Sequence, residues 1–152
     1  MSAYRTVVVG TDGSESSLRA VHRAGGLAGA CGARLVIVCA YLPPRADGSE
    51  VRRARDERGE DTSPVLGPAP AEDTVRHAAE EALAAGAGEV EQLAVVGSPV
   101  ETLLDVVARA QADLLVVGNR GLDSLKDRLM GSVPADVTRR SPVDVLVVHT
   151  TG

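Results

Sequence analysis

Residues 116–140 read VVGNRGLDSLKDRLMGSVPADVTRR, and the way this stretch begins decides how the rest of the chain is read. It starts inside an apolar run, DLLVVG (113–118), that stops abruptly at Gly118. Gly121 follows, and Gly131-Ser132 opens a segment of helical spacing that closes on Arg139-Arg140 ahead of Pro142. The run is continuously apolar rather than alternating, the pattern of a strand covered on both faces. A buried strand, a glycine-rich turn and a helix make up the repeating unit of a parallel α/β sheet.

Four further runs have the same character: RTVVVG (5–10), RLVIVCAY (34–41), VEQLAVVG (90–97) and VDVLVVH (143–149). Helix-period segments separate them. In the first, Leu18, Val21, Gly25 and Ala28 form one stripe, and its glycines are expected to let the helix sit close to the sheet. The second stripe is Val75, Ala78, Ala79, Ala82 and Leu83, ended by Gly86. The third helix opens on SPVE, with Ser98 as N-cap, Pro99 in the first helical position and Glu101 completing a capping box. Val100, Leu103, Leu104 and Val107 then face inward. The last helix is expected from about Ser132 to Arg140, its closing arginines complementing the negative helix end.

This alternation predicts an α/β fold: a single doubly wound, Rossmann-like domain over residues 1–152. Its sheet is parallel and five-stranded, of order 3-2-1-4-5, with helices on both faces and right-handed crossovers. Residues 43–70 stand outside the pattern, with five prolines and the mixed-charge stretch RRARDERGED. They read as an exposed loop, either a solvated connection or a lid over a ligand.

Composition narrows the function classes. The chain has 152 residues, 44% of them hydrophobic, no Trp, no Phe, and Tyr4 and Tyr41 as its only aromatic residues. The core is therefore Val, Leu, Ile and Ala. A net charge of −5, with no aromatic residues interleaved among basic ones, argues against nucleic-acid binding. Cys31 and Cys39 form no metal or redox pair and read as small buried hydrophobes in a reducing compartment. The N-terminus lacks the pattern of a signal peptide, and no apolar run reaches the roughly 18 residues of a membrane span. A cytoplasmic protein with no membrane partner is expected. His22, His77 and His149 share no metal-ligand spacing, so no metal site is expected, and no catalytic triad can be assembled.

In an open α/β sheet, ligands bind beyond the carboxyl ends of the strands, where strand order reverses. Two such ends are chemically unusual here. The first strand runs into GTDGSESS, with Asp12 in the turn and Ser14 as a cap. The fourth runs into GNRG, where Gly118 and Gly121 allow positive φ and close approach of backbone N–H groups to a ligand. The helix opening at Gly131-Ser132 favours an anion. The established phosphate signatures, GxxxxGK[ST] and GxGxxG, are absent. On physical grounds alone these glycines serve either as a phosphate cradle or simply as turn residues.

With its spacing, Gly118-x2-Gly121-x9-Gly131-Ser132 resembles the nucleotide-binding motif of the universal stress protein family. GTDGS, AYLPP, LLVVGNRGL, GSVPADV and DVLVVHT are similar to an actinobacterial subgroup with cyclic-AMP-binding members. The resemblance covers most of the chain outside the 43–70 loop. It implies an adenine nucleotide across the first and fourth strand ends, where Gly10, Thr11 and Asp12 meet it. Asp12 would lie beside the ribose, or beside a metal where a triphosphate is bound. Ala40 would read the adenine edge, and Val117 and Gly118 would line the ribose and phosphates. Arg120, Gly121, Gly131, Ser132 and Val133 would belong to the phosphate loop. Gly10 stands where some ATP-binding relatives have proline, which is expected to leave room beside Asp12.

The implied function is a nucleotide sensor or reservoir in the stress response. A homodimer through the closing strand, from Val143 to His149, is implied as well. Cyclic AMP is placed ahead of ATP, because a triphosphate brings about four negative charges that normally call for a lysine and magnesium. Magnesium is expected only with ATP. A slow ATPase or phosphotransferase is the alternative, disfavoured because no general base, and hence no catalytic residue, can be identified. A purely structural partner-binding module would require the glycine loop to be only a turn.

Overall fold

The computed structural model describes residues 3–43, 65–119 and 133–150. In chain order the elements are β1 (Thr6–Gly10), α1 (Glu15–Cys31), β2 (Arg34–Tyr41), α2 (Pro68–Ala85), β3 (Glu89–Val96), α3 (Pro99–Ala110), β4 (Leu114–Gly118), α4 (Val133–Arg140) and β5 (Asp144–Val148). All strand pairs are parallel, and the sheet order is β3-β2-β1-β4-β5. Both the fold class and the strand order match the expectation.

Register explains the continuous apolar runs. Val8 lies opposite Val36 on one side and Leu115 on the other. With Val38 and Val117 these residues form the core against α3 and α4, where Val100, Leu103, Val107 and Val137 meet them. The alternate residues Val7, Val9, Leu35, Ile37, Leu114 and Val116 face α1 and α2. Every one of these strand residues is buried, each worth about 1.5–3 kcal/mol in removal from water.

The helices differ from the sequence reading in three places. Gly25 lies in α1, and a Cβ there would fall 2.7 Å from the Ala82 carbonyl oxygen of α2. Its missing side chain lets two helices meet backbone to backbone, rather than letting α1 approach the sheet. In α2, Val75, Ala78, Ala79 and Ala82 are buried, but Leu83 is 51% exposed, because one further residue rotates it about 100° off the close-packed alanine line. In α3, Ser98 is the N-cap, yet its side chain makes no cap bond. Glu101 reaches Arg140 of α4 at 2.8 Å instead of closing a capping box. Leu104 is only half-buried, and Thr102 and Val106 fill the inward face beside Val100, Leu103 and Val107.

The expected 43–70 loop is shorter than its proline content suggested. Leu42 N–H donates to the Val65 carbonyl and Gly67 N–H to the Leu42 carbonyl, at 2.9 and 2.7 Å, before α2 begins at Pro68. Residues 44–64 lie outside the described residues, so the choice between connection and lid falls there too. At the other end of the sheet the Tyr4 hydroxyl donates to Asp144 at 2.9 Å, tying the approach to β1 to the start of β5. That hydrogen bond raises the phenol's pKa above its ordinary value. Among the described residues, no helix is long and apolar enough to cross a membrane.

The close approach of the two helices yields a paired test. Gly25→Ala should cost about 1–3 kcal/mol through overpacking, despite better helix propensity. Gly26→Ala, whose Cβ would meet only the Ala85 carbonyl at 3.7 Å, should gain about 0.5–1 kcal/mol. Urea denaturation of both variants measures the two signs.

Candidate functional site

The chain advances from β1 through β2 to β3 on one side, then returns to place β4 on the other side of β1. The helices following β1 and β3 therefore cover opposite faces, and a crevice opens at the carboxyl ends of β1 and β4. A pocket lies there with about 630 Å³ of empty space, the part open to solvent included.

Three strand ends form its floor: Gly10 of β1, Val38 and Ala40 of β2, and Val117 and Gly118 of β4. Pro99 and Leu103 of α3 and Val133 and Pro134 of α4 give one apolar flank. Thr11, Asp12, Ser14, Ser16 and Ser17 give a flank rich in hydroxyls. Of the residues expected at the site, Gly10, Thr11, Asp12, Ala40, Val117, Gly118 and Val133 line this one pocket. Arg120, Gly121, Gly131 and Ser132 lie outside the described residues.

The hydroxyl flank is held by its own hydrogen bonds. Gly13 N–H donates to Thr11 Oγ1 at 3.1 Å, Thr11 and Ser17 hydroxyls meet at 2.8 Å, and Ser17 Oγ donates to the Ser14 carbonyl at 3.0 Å. Since Ser17 uses its one hydrogen on that carbonyl, Thr11 must be the donor between the two hydroxyls. Ser14 N–H donates to Asp12 Oδ1 at 2.9 Å, fixing the carboxylate in an Asx turn. The expected cap forms: Ser14 Oγ accepts from Ser17 N–H at 3.2 Å. Gly13 makes the corner possible at φ 84°, a region costly for side chains with a Cβ.

Two expectations about glycine change. Gly118 does not adopt positive φ. Its missing Cβ matters because the Thr150 methyl stands 3.3 Å from where that atom would be. At Gly10 a Cβ would fall 3.0 Å from Leu103 Cδ2, so the space freed by this glycine is filled by a pocket side chain and is not left open beside Asp12.

Sequence reading missed Ser16, Ser17, Val38, Pro99, Leu103 and Pro134. The serines were visible in GTDGSESS, but only the helical turn brings them back over Asp12. The others reach the pocket through tertiary packing. Among the described residues, Asp12 is the only charged group in the lining, and no group of three His, Cys, Asp or Glu could hold a metal ion.

The fold, the crevice at the strand reversal and the hydroxyl-rich turn define a doubly wound α/β protein with its pocket at the topological switch point. The universal stress protein family model matches residues 3–149, and the chain belongs to that family. It is 52% identical over 151 residues to the universal stress protein Rv1636 of Mycobacterium tuberculosis, covering 99% of this chain and 100% of that protein. It is similar to a universal stress protein whose crystal structure is in complex with cAMP, with 48% identity, 99% and 100% coverage and a TM-score of 0.79. A universal stress protein from Archaeoglobus fulgidus, in complex with dAMP, shares the fold at 20% identity, 95% and 97% coverage and a TM-score of 0.65.

The hydroxyl relay predicts its own sensitivity. Thr11→Val keeps the shape of a residue that is 7% exposed but strands Gly13 N–H and one side of Ser17, and should cost about 1–3 kcal/mol. Thr11→Ser should stay within about 1 kcal/mol of the parent. Denaturant midpoints of the two variants give the comparison.

Proposed function

We propose that this universal stress protein binds an adenine nucleotide in the crevice between β1 and β4, prefers cyclic AMP to ATP, and serves as a nucleotide sensor or reservoir in the cytoplasm. The observation that carries this reading is the convergence of the expected site residues within the described segments, from Gly10 to Asp12 with Ala40, Val117, Gly118 and Val133, on a single pocket. Full-length similarity to a protein solved with cAMP supports the ligand class.

The pocket's chemistry is graded in the same sense. Val38, Ala40, Pro99 and Leu103 offer an apolar slot for a purine, with the backbone near Ala40 available to its edge. Asp12 and the hydroxyl flank suit a ribose, and Gly118 and the start of α4 suit a phosphate. Among the described residues no lysine or arginine lines the pocket. A cyclic monophosphate carries one negative charge and needs no metal. A triphosphate carries about four, which a magnesium ion held by its phosphates, waters and at most the Asp12 carboxylate would have to offset.

Association fits the same picture. The two sheet edges differ in their first halves: β3 exposes Glu89, Glu91 and Gln92, charges and amides that discourage pairing, before its half-buried Leu93, Ala94 and Val95 and exposed Val96, whereas β5 is apolar and half-buried from Val145 to Val147. An apolar edge strand calls for cover, and a second copy of β5 across a twofold axis supplies it.

Two measurements test the reading. In competition titrations, cyclic AMP should outcompete ATP, resist a chelator, and exceed cyclic GMP by about tenfold or more, since a guanine edge leaves buried polar groups unpaired. Tighter, magnesium-dependent ATP binding with sustained phosphate release would establish the ATPase instead. For assembly, sedimentation should find a dimer at micromolar concentration, and Val147→Pro should convert it to monomer or aggregate.

A further inference from the structure

Behind the wall of the pocket, three buried polar residues from distant parts of the chain meet. Thr150 is 3% exposed, Asn119 7% and Ser16 8%, and of the three only Ser16 reaches the lining. Thr150 Oγ1 donates to Asn119 Oδ1 at 2.9 Å, and Thr150 N–H donates to the same oxygen at 2.9 Å. Ser16 and Thr150 hydroxyls lie 2.5 Å apart. The Thr150 hydrogen is committed to Asn119, so Ser16 must donate to Thr150. The relay thus runs one way, Ser16 to Thr150 to Asn119. With both lone pairs of Oδ1 taken, the Asn119 amide nitrogen faces His149 Nδ1 at 3.1 Å, and Asn119 N–H donates to the Val148 carbonyl at 2.9 Å. Arg19 closes the arrangement by donating to the Thr150 carbonyl.

The ends of this relay are the walls of the pocket. Ser16 belongs to the hydroxyl flank, in the first turn of α1, and Asn119 directly follows Gly118 at the exit of β4. The Thr150 methyl packs 3.3 Å from where a Gly118 Cβ would stand. A valine at position 150 would fill that space equally well, so packing alone does not call for the hydroxyl. We infer that Thr150, although it does not line the pocket, is a positioning residue for the nucleotide site, holding Ser16 and the Gly118-Asn119 exit at a set separation through its hydroxyl. This rests on the nucleotide-binding reading above.

The test compares Thr150→Val, which keeps the shape and removes the hydroxyl, with Thr150→Ser, which restores it. Cyclic AMP affinity is measured by calorimetry, and each variant's melting curve shows that it is folded at the titration temperature. Thr150→Val should weaken binding by about tenfold, the effect of removing one buried hydrogen bond, and Thr150→Ser should bind within about twofold of the parent. Ser16→Ala and Thr150→Val should be strongly non-additive in binding, because each breaks the same relay. A folded Thr150→Val protein with a lowered melting temperature and unchanged affinity would make the relay merely structural and overturn the inference. Equal losses in the valine and serine variants would overturn it too, by assigning the effect to packing. Failure of the parent itself to bind any adenine nucleotide would instead bring down the functional reading, and this inference with it.

Discussion

The position of β1 governs the rest of the structure. It is the central strand, hydrogen-bonded to β2 on one side and β4 on the other, and its apolar residues are buried on both faces. Parallel strands need helical crossovers, and the connections must leave β1 and β4 in opposite directions across the sheet. No helix can then cover the point where they part. The crevice is a consequence of strand order before any side chain is considered, and the side chains decide only what it holds.

That geometry sets two demands at the strand ends. Polar backbone around the turn after β1 needs partners, and Thr11, Ser14 and Ser17 supply them from within the turn. The residues after β4 face the same problem, and Asn119 and Thr150 meet it by long-range bonds to β5 and α1. Away from the crevice the demand is for closeness. With no Phe or Trp to fill space, α1 and α2 meet through glycine and alanine, with Gly25 against Ala82 and, closer still, Gly29 against the Gly86 carbonyl at the cap of α2. The helix that carries the hydroxyl flank is thereby held by its backbone from behind.

This division also explains what could be read from the sequence. The strands were legible because burial on both faces leaves no room for polar residues, and the five apolar runs fall within a residue of the observed strands. The turn after β1 was legible because Asp12, Gly13 and Ser14 act over a few residues. Leu83 was misassigned because a hydrophobic residue beside a stripe is indistinguishable, in one dimension, from a member of it. Glu101 satisfied the local pattern of a capping box, but a tertiary partner, Arg140, holds its carboxylate. Ser16, Asn119 and Thr150 were silent for the same reason: their bonds span 134 and 31 residues of sequence, and no local pattern records them. Local chemistry was visible, and its long-range bracing was not.

The electrostatics of the crevice follow from the same topology. In a parallel sheet the helices begin where the strands end, so the first turns of α1, α3 and α4 all contribute lining residues. Each helix start carries about half a positive charge, but each first turn also holds an acid, Glu15, Glu101 and Asp136, and Asp12 adds another in the lining. Among the described residues the lining thus meets an anion with helix-end dipoles and hydroxyls, not with cationic side chains. Such helix ends favour a single phosphate, although Pro99 and Pro134 each leave the first turns of α3 and α4 one N–H short. They fall well short of the roughly four negative charges of a triphosphate, which would have to bring its own cation.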